Sequence, residues 1–176
     1  MADVSVRPAR PADAERVARV QLSTWRTAYA DLLPAEVLDV PEVQAAALWL
    51  GAVESPPTLR HDLLVAFEGA ELVGFAASGP ADDDALDPTT TAELLTVLVE
   101  PRWGRRGHGA RLLSAAVSRW REVGTTTAVT WVWEGDRASA SFLTSAGWEL
   151  DGLARGLDTG ARVQRQLRFH TDLRED

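Results

Sequence analysis

Apolar positions near the start of the chain recur at three- and four-residue intervals: Ala14, Ala18, Leu22, Trp25 and Tyr29. That spacing makes one stripe on an α-helix. Pro11 near its first turn, with Asp13 and Glu15, marks where it begins. Before it, Val4 to Arg7 alternates like a short strand and stops at Pro8. After it, Pro34 opens a second helical stretch in which Val37, Leu38, Ala45, Leu48 and Trp49 can face inward, and Pro41 divides it into two pieces. Leu63 to Phe67 and Glu71 to Ala77 flank Glu68-Gly69-Ala70 and predict a hairpin. Thr127 to Trp133 predicts a strand, and a short helix follows through Phe142, Leu143 and Ala146, capped by Asp136 and ended by Gly147. Trp148 to Leu153 and Ala161 to Phe169 predict two closing antiparallel strands. The resulting order, βααβββαβαββ, implies one α/β domain over residues 1–176 with a mixed sheet.

The most informative stretch runs from Leu94 to Leu113. A buried strand ends at Val99-Glu100-Pro101, a turn holds Arg102, Gly104, Arg105, Arg106, Gly107 and Gly109, and a helix follows through Leu112 and Leu113 to Trp120 and the cap glycine Gly124. A strand–turn–helix of this kind leaves unpaired N–H groups at the positive end of a helix dipole, where an anion is favoured. Glycines let backbone approach such a ligand closely, and the arginines add charge. The expected ligand is a phosphate or pyrophosphate.

Composition narrows the chemistry. There is no cysteine, so thiol nucleophiles, disulfides and Cys-based metal sites are excluded; no metal is expected. There is no Lys, Ile or Asn, and all 18 basic residues are Arg. An Asp or Arg at a motif position can therefore stand where a relative has Asn or Lys. The formal net charge of −8 argues against nucleic acid as a partner and suits an amine-bearing one. With no signal-like N-terminus and no apolar run of about 18 residues, the expectation is a cytoplasmic protein without a membrane partner.

Taken together, these features resemble the GNAT (GCN5-related) N-acetyltransferase superfamily. In that superfamily a strand ending in Val-x-Pro leads to a loop [Gln/Arg]-x-x-Gly-x-[Gly/Ala] and a Leu-rich helix; Val99-Glu100-Pro101 and Gly104 to Gly109 match it. Asp136, Ser139, Phe142, Leu143, Gly147 and Trp148 fall on a second signature, Asn-x-x-Ala-x-x-Phe-Tyr-x-x-x-Gly-Phe. Trp25-Arg26-x-Ala28-Tyr29 with Leu32-Leu33-Pro34 matches a third, found in one bacterial branch. The resemblance implies a GNAT fold: a mostly antiparallel sheet of about six to seven strands flanked by helices. It implies acetyl-CoA as co-substrate, its pyrophosphate held by Gly104, Arg105, Arg106, Gly107, His108, Gly109 and Ala110, and its pantetheine arm along Val97, Leu98 and Val99. It also carries Asp136 to the cofactor side, although N-cap preference reads that residue as a cap. Trp25 and Tyr29 would wall the acceptor pocket, and a homodimer is common in the group.

Two departures bear on chemistry: Gly104 stands where the loop usually has Gln or Arg, and Leu143 where many members have the Tyr that protonates the departing thiolate. Position 131 is Trp where the branch acetylating protein N-termini has a Glu base, which disfavours that activity in its usual form. An alkylamine of pKa about 10.4 is neutral only roughly once in 2,500 molecules at pH 7, so a base is needed. Glu93, eleven residues before Gly104, resembles the base of the histone-acetylating branch. The other reading makes it only a polar residue at a strand start. Glu134 and Asp136 are second choices. The expected activity is acetyl transfer to a small-molecule or peptide amine; the competing one is a degenerate domain that binds acyl-CoA without turnover.

Overall fold

A computed structural model describes residues 3–160 and 163–174. The chain runs β1 (Val4–Pro8), α1 (Ala14–Ala28), α2 (Ala35–Leu38), α3 (Glu42–Glu54), β2 (Asp62–Glu68), β3 (Glu71–Pro80), β4 (Thr91–Val99), α4 (His108–Glu122), β5 (Thr127–Trp133), α5 (Arg137–Ser145), β6 (Glu149–Asp158) and β7 (Val163–Asp172). Short 3-10 turns at Pro11–Asp13 and Pro101–Trp103 precede α1 and the arginine loop. The strands form a seven-stranded sheet in the order β1-β2-β3-β4-β5-β7-β6. Pairings β1–β2, β2–β3, β5–β7 and β6–β7 are antiparallel, and β4–β5 is parallel. This is the mixed, mostly antiparallel architecture expected. Ala161, where the sequence pattern begins its last strand, lies outside the described residues.

Contacts divide the chain into two compact units, Met1–Ser78 with Thr96–Ala116, and Gly79–Leu95 with Val117–Asp176. In the first, the β2–β3 hairpin turns through Gly69, whose φ of 60° suits glycine. The faces of β2 and β3 meet α1: Val17, Val20, Val65, Leu72, Phe75 and Leu98 form one core cluster. Trp49 meets Phe75 edge-on at 5.0 Å, a geometry favoured by the ring quadrupoles. Ala18, Leu22, Ala45 and Ala46 close the seam of α1 with α3. The division of α2 from α3 at Pro41 follows the sequence pattern, but Leu48 does not, being 71% exposed. Residues on α3 turn by 100° per position, and the apolar run there is wider than the seam it can bury.

In the second unit, β5, β7 and β6 form a ladder with two unlike faces. Cross-strand partners project to the same side, so Val132, Leu167, Phe169 and Leu150 lie on one face, where the α5 residue Ala140 joins them around a small cavity. Leu143 and Trp148 are buried in the same unit. The other face is polar, and it carries Trp131, Gln166, Arg168 and Arg155.

Candidate active site

The loop between β4 and α4 is built by backbone conformation. Arg105 holds φ 62° and Gly107 φ 82°, both left-handed, on either side of Arg106. Left-handed residues placed this way turn successive N–H groups toward one side, which makes an anion-binding concavity. The helix begins at His108, so the amides of His108, Gly109 and Ala110 lack intrahelical acceptors and sit at the positive end of the dipole. A side chain at 107 would be strained by φ, and its Cβ would lie 3.0 Å from an Arg111 guanidinium nitrogen. A non-glycine residue at φ 62°, as at Arg105, is itself uncommon. The geometry therefore fits a pyrophosphate.

The three loop arginines divide their roles. Arg102 pairs with Glu100 at 2.9 Å, and Arg106 pairs with Glu68 at 2.9 Å while stacking over Trp103. Arg105 is exposed and makes no ion pair or hydrogen bond among the described residues, so it is the loop cation free for a ligand. His108 points inward, 2% exposed, its Nε2 2.8 Å from the second oxygen of Glu68. Only its backbone can serve an anion. Glu68, at the end of β2, thus clamps the loop, and the hydrogen bond with His108, together with the charge and hydrogen bond of Arg106, holds its carboxyl below the usual range. No sequence pattern pointed to Glu68, since it lies 38 and 40 residues from its partners.

On β4, Thr91 to Leu94 are all buried, and exposure varies only beyond them. Leu94 and Leu98 are buried, Leu95 is exposed, and Val97 and Val99 are half-buried. Neighbouring β3 accommodates the strand closely, because Gly74 lies where a Cβ would be 2.7 Å from the Leu98 carbonyl.

Trp25 lines a cavity of about 380 Å³ between α1, α2 and α3, with Gln21, Val37, Val40 and Trp49. Its wall is fixed by a 2.7 Å hydrogen bond from the Trp49 indole N–H to Gln21. Tyr29 is not among the lining residues; it ends α1, its carbonyl accepting from the amides of Leu32 and Leu33. The structure thus separates two residues that one helical stripe had grouped.

Glu93 belongs to the second unit, in the body of β4. It pairs with Val129 in the short parallel ladder and is only 7% exposed. Burial pushes its pKa up; an amide from Asp82 at 3.4 Å and the nearby positive charge of Arg155 oppose that shift. The acidic segment Asp82–Asp87 takes part in an ion-pair group: Arg168, itself buried, is gripped by Asp83 at 2.7 Å and Asp151 at 2.6 Å. Glu134 is tied to Arg165 at 2.8 Å and half-exposed, which disqualifies it as a sheltered base. Asp136 caps α5, accepting from the Ser139 amide at 3.0 Å and hydroxyl at 2.7 Å. We expect Asp136→Ala to cost about 0.5–2 kcal/mol in urea unfolding with coenzyme affinity unchanged in titration calorimetry. Leu143 is buried and apolar, so position 143 supplies no acid. Among the described residues no group of three or more His, Asp or Glu is arranged to hold a metal, and no helix is long and apolar enough to cross a membrane.

The sequence model of the acetyltransferase (GNAT) family matches residues 23–148. The chain belongs to that family. Its fold is shared with other solved GNAT-type proteins. One is the paia N-acetyltransferase from Thermoplasma acidophilum in complex with coenzyme A, 19% identical, with 97% of this chain and 99% of that one covered and a TM-score of 0.75. Another is yncA from Salmonella typhimurium with its cofactor acetyl-CoA, at 20% identity, 99% and 96% coverage and a TM-score of 0.73. The ribosomal-protein-alanine N-acetyltransferase from Brucella melitensis gives 21%, 96% and 99%, and 0.70. At these identities the likeness is one of fold. No match is found among curated proteins.

Proposed function

We propose that this GNAT protein is an N-acetyltransferase that moves an acetyl group from acetyl-CoA to the amine of a small molecule or peptide by direct transfer, with Glu93 as the base. The observation that carries the reading is Glu93 itself: a carboxylate sheltered on the strand that runs on through Val97, Leu98 and Val99 into the anion-cradling loop. Family membership and the coenzyme A and acetyl-CoA complexes of the structural neighbours support the co-substrate.

The loop residues have distinct tasks. Amides of Gly107 to Ala110 hold the pyrophosphate, Arg105 adds charge, and Glu68 keeps Arg106 and His108 turned away. The β4 edge at Val97 to Val99 accompanies the pantetheine arm. Bound acetyl-CoA supplies an acyl carbon whose bond to sulfur is exchanged for a bond to the amine nitrogen, the electron pair leaving on the thiolate. Glu93 takes the proton that the amine must lose, directly or through a water. Its raised pKa suits this task, because a base works best with a pKa close to the working pH. With Leu143 buried and apolar, protonation of the thiolate falls to water or to the proton released by the amine; a thiol of pKa about 8.5 is already a fair leaving group.

Leu143 also motivates the second reading, a domain that binds acyl-CoA without turnover. Thiol release from acetyl-CoA, followed with a panel of amines, decides between them. Amine-dependent release that falls in Glu93→Gln supports the enzyme; tight coenzyme binding with no such release supports the binder.

A further inference from the structure

On the polar face of the β5–β7–β6 ladder, register places Glu93 beside Val129, Trp131 opposite Arg168, and Arg155 opposite Gln166. These side chains share one face. The three arginines of this region are not equivalent. Arg168 is paired with both Asp83 and Asp151, and Arg165 is paired with Glu134. Arg155 has no carboxylate partner among the described residues. Its Nε donates to Gln166 Oε1 at 2.8 Å, and its guanidinium lies 4.3 Å from the centre of the Trp131 ring. Those two contacts fix the plane of the group, and its two terminal nitrogens make no hydrogen bond among the described residues. Asp83 accepts instead from Arg168 and from the Ala85 amide, and no hydrogen bond joins it to Arg155. Glu93 and Asp83 act on Arg155 through space, without a hydrogen bond to it.

A half-buried guanidinium held rigid with an open pair of N–H donors is the arrangement that takes a carboxylate in two parallel hydrogen bonds. Burial disfavours its charge, and an incoming carboxylate would offset that cost. Resting on the acetyl-transfer reading above, we propose that the acceptor is an amino-acid-type zwitterion whose carboxylate is held by Arg155 while its amine is presented to Glu93. Trp131 and Gln166 are positioning residues for that guanidinium. The face as a whole then has one site for each end of such a molecule: an acceptor of protons and a fork for an anion.

The test uses the full chain, acetyl-CoA and matched acceptors that differ only in the carboxylate, such as phenylalanine with 2-phenylethylamine and leucine with 3-methylbutylamine. The readout is the ratio of kcat/KM within each pair in the Arg155→Gln variant, relative to the same ratio in the unaltered protein. This cancels the differing basicity of the two amines. We expect that ratio to fall about 10–100-fold, the worth of a hydrogen-bonded charge pair, and to be partly restored in Arg155→Lys, which keeps the charge without the fork. Equal losses on both members of each pair would overturn the proposal, and a moved pH profile would then mark Arg155 as a partner of Glu93. If Arg155→Gln fails to fold, the unaltered protein carries the test: competitive inhibition by 3-phenylpropionate but not by its amide supports the assignment, and equal potency of the two overturns it. Turnover of plain amines with no carboxylate preference sinks this inference alone. Absence of release with every amine sinks the acetyl-transfer reading and this inference with it.

Discussion

Glu93→Gln is expected to lower kcat/KM for amine acetylation about 10²–10⁴-fold, the usual contribution of a positioned base, with the affinity for acetyl-CoA unchanged. The substitution keeps the shape of the side chain and its capacity to accept the Asp82 amide, so what it removes is the proton-accepting charge. Two pH measurements accompany the rate. In the unaltered protein, activity rises as Glu93 loses its proton, and burial places that limb above the ordinary carboxylate range; in the Gln variant the limb should vanish. Stability moves in the opposite sense. A carboxyl whose folded-state pKa is raised binds its proton more firmly in the folded than in the unfolded chain. The contribution of Glu93 to stability therefore falls as pH rises from its ordinary value through the raised one. The Gln variant has no such charge to bury. Its urea midpoint should match that of the unaltered protein at low pH and exceed it above the window. A rate that survives the substitution would remove Glu93 from the chemistry.

How much of this was legible in the chain follows from the distance over which each feature is determined. Local rules placed the strand Thr127–Trp133, the left-handed caps at Gly124 and Gly147 and the Asp136 cap, because each depends on residues within one turn or one pleat. The glycine loop was legible for the same reason. The status of its charges was not. Arg106 and His108 are taken by Glu68, a residue 38 and 40 positions earlier, whereas Arg105 has no such partner among the described residues. Likewise the role of Asp83 is set by Arg168 on β7, 85 residues away. Arg155 carries no local mark at all; its meaning comes from the β6–β7 register and from Trp131 on β5. Pattern finds elements, whereas pairing between them decides which charges remain available for a substrate.

Gly107→Val should raise the dissociation constant for coenzyme A at least about 100-fold in titration calorimetry. At φ 82° an ordinary residue is strained, by about 1–2 kcal/mol, and a β-branched one is a clear misfit. Its Cβ also meets the Arg111 guanidinium at 3.0 Å, although that long side chain can swing away. The backbone has no such escape. When residue 107 leaves the left-handed region, the N–H groups at the start of α4 no longer converge. Each hydrogen bond to a charged group is worth about 1.5–3 kcal/mol, so the loss of two suffices for the stated change. Gly124→Val provides the control. Gly124 has a φ of 79°, no described atom lies within 4 Å of where its Cβ would stand, and it closes α4 at the end remote in sequence from the loop. Both variants should lose stability through the same backbone strain, but only Gly107→Val should lose the coenzyme. Equal affinities in the two would mean that the pyrophosphate is not held on residues 104–110, and the functional reading would fall with it.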